Sequence, residues 1–198
     1  LLNFANAAVT DSAGAQNFAT TTNATISAAS KYGQGALYFD GSASTFLSTP
    51  YSDRFLIGSS NYTVEFWCNL SAYGEIVGAF NLTSPFPGWL VNVGNFGAGG
   101  GTIGFFHANA TVNQTVNSTN TVPLNTWTHV AVARNGTSTK LFVNGTQVGS
   151  TYTDITNYIQ CPLVIGARFD GTLGFNGYID DVRISKGVAR YTTTFPVP

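Results

Sequence analysis

The chain has 198 residues, of which 9% are charged and 14% aromatic, with a formal net charge of −1. That length suits one large domain with a single core. Sparse, balanced charge excludes the clustered Lys/Arg footprint that a nucleic acid requires, and the aromatic content argues for a folded domain. No apolar run approaches the roughly 20 residues of a membrane-spanning helix, so membrane insertion is not expected. There is no methionine, and no basic segment leads into an apolar stretch as in a signal peptide. A processed form or a fragment of a longer polypeptide is expected.

Residues 1–32 are weakly patterned and read as an arm of the same domain whose main body is 33–198. Leu1–Phe4 predicts a first strand, Asp11–Gly14 a turn, and 18–30 mostly loop. Gly35–Gly41 predicts a strand ending in a turn, with Thr45–Ser48 as its hairpin partner. Tyr51–Ile57 predicts one helical turn. Asn61–Leu70 is the strongest strand: Val64, Phe66 and Cys68 share one face, and Thr63, Glu65, Trp67 and Asn69 the other. Glu75–Phe80, Trp89–Val93 and Thr102–His107 read as strands separated by Ser84–Gly88 and the glycine-rich 94–101 stretch. Thr126–Arg134, Thr139–Val143 and Thr146–Gly149 form a meander turned at Asn135-Gly136 and Asn144-Gly145. Leu163–Phe169 and 174–185 close the set, and Gly187–Tyr191 predicts a helical turn. Many strands punctuated by turn signals, with almost no helix, predict an all-β fold: an antiparallel two-sheet β-sandwich or jelly roll.

Counted with period two, Tyr178, Asp180, Val182 and Ile184 fall on one face of the last strand. Ile179, Asp181 and Arg183 fall on the other. Val182 and Ile184 call for a core, which puts Asp180 on the core side. A carboxylate there is costly unless hydrogen-bonded, paired or bound to a cation. Two readings follow: a structural calcium ligand, or an aspartate that caps a loop. The two cysteines, Cys68 and Cys161, are expected as free thiols in preference to one disulfide.

Chemistry-bearing groups are few. Glycoside hydrolysis needs two carboxyls about 5–9.5 Å apart, but Glu65 and Glu75, the two glutamates, each lack an acidic neighbour at i+2 or i+4. His107 and His129 have no partner at zinc or triad spacing. The 94–101 stretch lacks the lysine and the strand–loop–helix context of a phosphate loop. Binding is the positive expectation, because aromatic rings stack on sugar C–H faces while amides fix hydroxyls. The candidates are Trp89, beside Pro85–Gly88, with Trp67 and Tyr73, and nearby Asn69, Asn92 and Asn95. For Trp67 and Trp127, packing is the competing reading.

Six segments occur in order: Gly35–Gly41, Tyr62–Trp67, Trp127–Gly136, Lys140–Gly145, Leu163–Arg168 and Phe175–Ile184. Together they resemble the laminin-G-like and pentraxin-like domains of the concanavalin A-like lectin/glucanase superfamily, over residues 33–195. The resemblance implies a concanavalin A-like jelly roll of two curved sheets. Many such relatives bind sugars, some bind proteins, and many hold a structural calcium. It also implies that Asp180, in Asp180-Asp-Val-Arg183, joins backbone carbonyls, with Gly41 the expected partner; oxygen-only ligands suit Ca2+. The pentraxin disulfide is not reproduced, since its positions fall near Glu65 and Ala131. Ending in Gly187-Val-Ala-Arg-Tyr191, the chain is similar to domains of phage and other viral structural proteins and of bacterial surface proteins. The expected function is a non-catalytic, lectin-like adhesion or carbohydrate-binding module of a virion fibre or decoration protein. Its expected partner is a glycan or surface receptor, and its location extracellular or the virion surface. The alternative is a purely structural subunit packing in a homo-oligomer or against other virion proteins; a glycoside hydrolase using Glu65 is the third reading.

Overall fold

The computed structural model describes every residue except 1, 4–9, 12–17, 21–22, 34, 81–87, 95–98, 110–111 and 169. Asn95 is therefore outside the described residues. Sixteen strands run through the described residues. The first six are β1 (Leu2–Asn3), β2 (Thr10–Asp11), β3 (Ala19–Thr20), β4 (Thr25–Ser27), β5 (Ala36–Asp40) and β6 (Leu47–Ser48). Then come β7 (Tyr62–Ala72), β8 (Glu75–Phe80), β9 (Gly88–Val93), β10 (Thr102–Asn109) and β11 (Val112–Thr121). The last are β12 (Thr128–Asn135), β13 (Ser138–Val143), β14 (Thr146–Thr153), β15 (Leu163–Ile165) and β16 (Asn176–Lys186).

One sheet has nine strands in the order β14-β13-β12-β7-β16-β1-β2, with β5 also on β16 and β4 on β5. The other has seven, in the order β11-β10-β9-β8-β15-β6-β3. All pairings are antiparallel, and the result is the two-sheet sandwich the strand pattern predicts. Leu2 pairs with Val182, so the N-terminal arm contributes a strand beside β16.

The core lies between the sheets. Alternation in β7 sends Val64, Phe66, Cys68 and Leu70 inward, all fully buried, together with Val130 and Val132 of β12. They meet Ile76 and Val77 of β8, Trp89, Val91 and Val93 of β9, and Ile103 and Phe105 of β10. Cys68 and Cys161 are both buried, and neither is in a disulfide.

Three local expectations change. First, β6 does not return against β5; it joins the seven-stranded sheet beside β15 and β3. The crossing starts at Asp40, whose Oδ1 accepts the Ser42 N–H, while the Thr45 N–H bonds back to the Ser42 carbonyl. Second, 51–57 is built of bends and a turn, and 187–191 is irregular after a bend at Gly187; the one helical turn among the described residues is the 3-10 turn Gly99–Gly101. Third, the first meander turn slides by one residue. Asn135 pairs with Ser138, which leaves Gly136-Thr137 in the turn with Gly136 at φ +59°, whereas Asn144-Gly145 has both residues at positive φ as a type I′ turn requires. In addition, β11 is a strand over a polar stretch for which the pattern gave no expectation.

The largest change is in β16. Asp180 pairs with Trp67 and Arg183 with Glu65, so three steps on β16 match two on β7. This is a β-bulge, and Asp181 occupies it at φ +47°. The extra residue inverts the period-two count. Ile179 and Val182 both point into the core, and Tyr178 and Asp180 point away from it.

Candidate functional site

The outer face of the nine-stranded sheet carries the side chains of β7 and β12 that do not enter the core: Glu65, Trp67, Asn69, His129, Ala131 and Ala133. Most of this face is covered. The C-terminal tail crosses it with Tyr191 stacked on Phe195, ring centroids 3.5 Å apart and 9° from parallel, over Phe142, Ala131 and Ala133. The small alanines leave the groove that the two rings fill. The Phe195 N–H bonds to the Gly145 carbonyl, and Lys140 Nζ to that of Thr192.

Glu65 is the tail's anchor. Its carboxylate is 3% exposed. Tyr191 Oη donates to Oε2 at 2.6 Å, Arg190 Nε lies 3.0 Å and Arg183 Nη1 3.4 Å from Oε1, and His129 Nε2 is 3.4 Å from Oε2. Burial works to raise its pKa. Hydrogen bonds to His129 and Tyr191 and the charge of Arg183 outweigh that and hold the carboxyl below the ordinary range.

Trp67 is covered in turn by residues 31–32. Lys31 Nζ sits 4.2 Å from its ring centroid and Tyr32 meets it edge-on at 5.8 Å. Trp67 is 7% exposed, so most of its ring is covered. Asp180 fixes that turn: Oδ2 accepts the backbone N–H groups of Lys31 and Tyr32 at 3.0 and 3.1 Å, and Oδ1 that of Asp181 at 2.9 Å. This is the loop-capping role. The calcium clasp with Gly41 is not assembled. Gly41 follows Asp40, which pairs with Asn176 four residues from Asp180, a separation of about 13 Å along a strand. Three N–H donors on the Asp180 carboxylate also do not suit a cation. No group of three or more His, Cys, Asp or Glu among the described residues is arranged to hold a metal.

One end of the outer face is left open by the described residues. Across β5, β16, β7 and the start of β12 run Tyr38, Tyr178, Asn69 and Trp127, all half-buried. Tyr178 pairs with Tyr38 on one side and Asn69 on the other. The Tyr38 and Tyr178 rings are 5.2 Å apart, and those of Tyr178 and Trp127 6.4 Å apart. Among the described residues, neither tyrosine hydroxyl nor the Asn69 amide has a hydrogen-bond partner. The row is contiguous, aromatic and uncharged, with polar edges free to bond.

The sequence candidates otherwise scatter. Trp89 is 1% exposed and sits in the core, so the choice of Trp89 as a contact is corrected: the β9 alternation aims it between the sheets. Asn92 faces outward on the other sheet, opposite Glu75, yet is fully buried with neither amide atom partnered. Tyr73 is 44% exposed and lies across Gly94 and Gly101 at the edge of the seven-stranded sheet; a Cβ at Gly101 would fall 2.4 Å from its hydroxyl. Tyr73 and Asn92 are thus far from Trp67. Burial pushes Glu75 up to about 8. Glu65 and Glu75 stand on opposite outer faces of the sandwich, so they form no carboxyl pair.

The aromatic row was missed because its members come from four segments and meet only through strand pairing. A signal was present. Tyr38 is flanked by core residues Leu37 and Phe39, and Tyr178 precedes Ile179, so both rings belong to strands whose neighbours point inward.

The family model described as the concanavalin A-like lectin/glucanases superfamily, of laminin G type, matches residues 40–190. The chain belongs to that superfamily. No curated protein sequence matches this laminin G-type domain. Among solved structures it is similar to domain 4 of the extracellular arabinanase AbnA from Geobacillus stearothermophilus, solved in complex with arabinotriose, at 18% identity and TM-score 0.73. That match covers 95% of this chain and 91% of the other. It is also similar to the binding domain of Paraclostridial Mosquitocidal Protein 1, at 15% identity and TM-score 0.73, over 93% of this chain and 48% of that one. A third is a botulinum neurotoxin type C structure whose cell entry depends on two ganglioside molecules, at 14% identity and TM-score 0.66, over 92% of this chain and 46% of that one. The chain thus spans about half of each toxin chain. At these identities the likeness is one of fold.

Proposed function

We propose that this domain is a non-catalytic, lectin-like carbohydrate-binding module that attaches the protein carrying it to a glycan or a glycan-bearing receptor. The observation that carries the reading is the open row Tyr38–Tyr178–Trp127 with the unpartnered Asn69 amide. Aromatic faces stack on sugar C–H surfaces, and an amide and two phenols supply donors and acceptors for hydroxyls. Two solved structures of similar fold support this choice of ligand: one was solved in complex with arabinotriose, and the other is of a toxin whose cell entry depends on interaction with gangliosides. The carboxyls support a non-catalytic reading. Glycosidases need two of them about 5–9.5 Å apart, and here Glu65 is tied into the tail while Glu75 lies across the sandwich. Further, we propose a virion fibre, decoration protein or bacterial surface as the setting, outside the cell, on the resemblance of the Gly187–Tyr191 segment.

A glycan array tests the binding reading. Retention of at least one glycan class by the wild type, lost in Tyr178→Ala with an unchanged melting temperature, supports it. Absence of any bound glycan, with the row buried between copies of the chain in solution, overturns it in favour of a purely structural subunit.

A further inference from the structure

The geometry of the row points to a narrower ligand class: we infer that it takes a single, twisting chain of neutral sugar residues, one per ring. This rests on the carbohydrate-binding reading above and adds the shape and charge of the glycan. Three observations carry it.

The rings are stepped. Tyr38 to Tyr178 is 5.2 Å and Tyr178 to Trp127 is 6.4 Å, each a step of about one aromatic contact within the 4.5–7 Å range of ring–ring packing. Tyr178 is the middle ring and touches both others, so a ligand that engages the row passes over it.

The rings are turned. Tyr38 is inclined 44° to Tyr178, and Trp127 47° to Tyr178. A flat array of parallel chains, as on a crystalline polysaccharide, meets one of these rings face-on and the others at an angle. One free chain can rotate about each glycosidic linkage and present a C–H face to every ring in turn.

The row is uncharged. Asp40, at the end of β5, is exposed and bonded to Ser42. Asp180, one position along the sheet, has its oxygens filled by three backbone N–H groups. Lys31 lies over the Trp67 ring, 4.2 Å from its centroid. An acidic sugar would find no guanidinium on the row to hold it in the paired geometry that carboxylates favour. The free groups are the two phenols and the Asn69 amide, which suit hydroxyls.

The test is calorimetric titration of the intact domain with neutral linear oligosaccharides of one to four residues, prepared from a soluble arabinan and a soluble β-glucan. Sialylated oligosaccharides of the same lengths are run alongside, and co-sedimentation is measured with crystalline cellulose and chitin. In at least one neutral series, affinity is expected to rise at least tenfold from one residue to three and to level off at four. Tyr178→Ala is expected to remove at least tenfold of that affinity. Tyr38→Ala, at the edge of the row, is expected to abolish the gain from the second to the third residue. Thermal melts of both variants exclude unfolding as the cause. Retention on cellulose or chitin, or a preference for sialylated chains, lost in Tyr178→Ala, overturns this inference and leaves the carbohydrate-binding reading intact. Binding to no sugar in any arm overturns both.

Discussion

The Tyr191 hydroxyl lies 2.6 Å from Glu65 Oε2, and this bond fastens the C-terminal tail to the centre of the nine-stranded sheet. The pair is separated by 126 residues in sequence. Arg190, the preceding residue, reaches the other oxygen of the same carboxylate. A hydrogen bond to a charged group contributes about 1.5–3 kcal/mol. Tyr191→Phe is therefore expected to lower stability by about that amount in urea denaturation at neutral pH, and to loosen the tail in hydrogen exchange. Glu65→Gln leaves Arg190 and Arg183 short of an anion and is expected to cost at least as much. Because folding lowers the Glu65 pKa, the stabilisation is present above its unfolded value and is lost as pH falls through the folded one. Wild type is expected to weaken in acid more steeply than Glu65→Gln, and equal acid slopes would remove Glu65 from the account.

Glu75 works in the opposite direction. Its folded pKa is raised from 4.5 to about 8, chiefly by burial, with Arg168 partly offsetting. A carboxyl with a raised folded pKa is neutral in the native state. Its contribution is complete below the unfolded pKa and is lost as pH rises from there through about 8. The slope over that window is about 1.4 kcal/mol per pH unit. Equilibrium unfolding across pH 5–9 is expected to show a decline that Glu75→Gln largely removes, since glutamine keeps the shape and carries no proton to lose. A flat wild-type profile over that window would show that Glu75 ionises without penalty.

How much of this was legible in the sequence depends on whether the information is local. Alternation in β7 separated the inner face (Val64, Phe66, Cys68) from the outer one (Glu65, Trp67) correctly because a strand's period acts residue by residue. The ordered segments gave the fold, since each is a strand with its turn. The site was not legible in the same way. Trp89 drew attention because it stands beside a Pro- and Gly-rich stretch, yet its own strand aims it inward to 1% exposure. Tyr38, Tyr178 and Trp127 are adjacent only because β5, β16, β7 and β12 lie side by side, and pairing order is a property of the whole sandwich. The covering of Trp67 by Lys31, from a segment with little pattern, was equally out of reach.

Calcium is next. Asp180 spends its oxygens on the N–H groups of Lys31, Tyr32 and Asp181, and Gly41 is at the far end of the β5–β16 pairing. Adding a chelator or millimolar Ca2+ is expected to leave the melting temperature unchanged. A ligand that binds the native state at 100 times its dissociation constant would stabilise by about 2.7 kcal/mol, which a melt resolves easily, so a chelator-dependent drop would restore a metal site. Asp180→Ala is expected to destabilise under either condition, because it strands three buried or half-buried backbone donors at about 1–3 kcal/mol for each one left unpaired.

The bulge in β16 carries backbone strain. Asp181 holds φ +47° between Asp180, opposite Trp67, and Arg183, opposite Glu65. A non-glycine residue in the left-handed region costs about 1–2 kcal/mol. The Asp181 carboxyl carries a second burden: burial, followed by the negative charge of Asp180, raises its pKa. Asp181→Gly removes both, so it is expected to raise stability although it deletes a side chain from a strand, where glycine ordinarily weakens. Asp181→Val keeps a side chain of similar volume but adds a β-branch in the same conformation, and is expected to destabilise. If the bulge sets the face of every residue after it, Asp181→Gly leaves the sheet intact and Ile184 still pairs with Val64, which cross-strand nuclear Overhauser contacts would report. Were Asp181→Gly instead destabilising, the strand would be held by the carboxylate itself, and the positive φ would be a consequence of that hold.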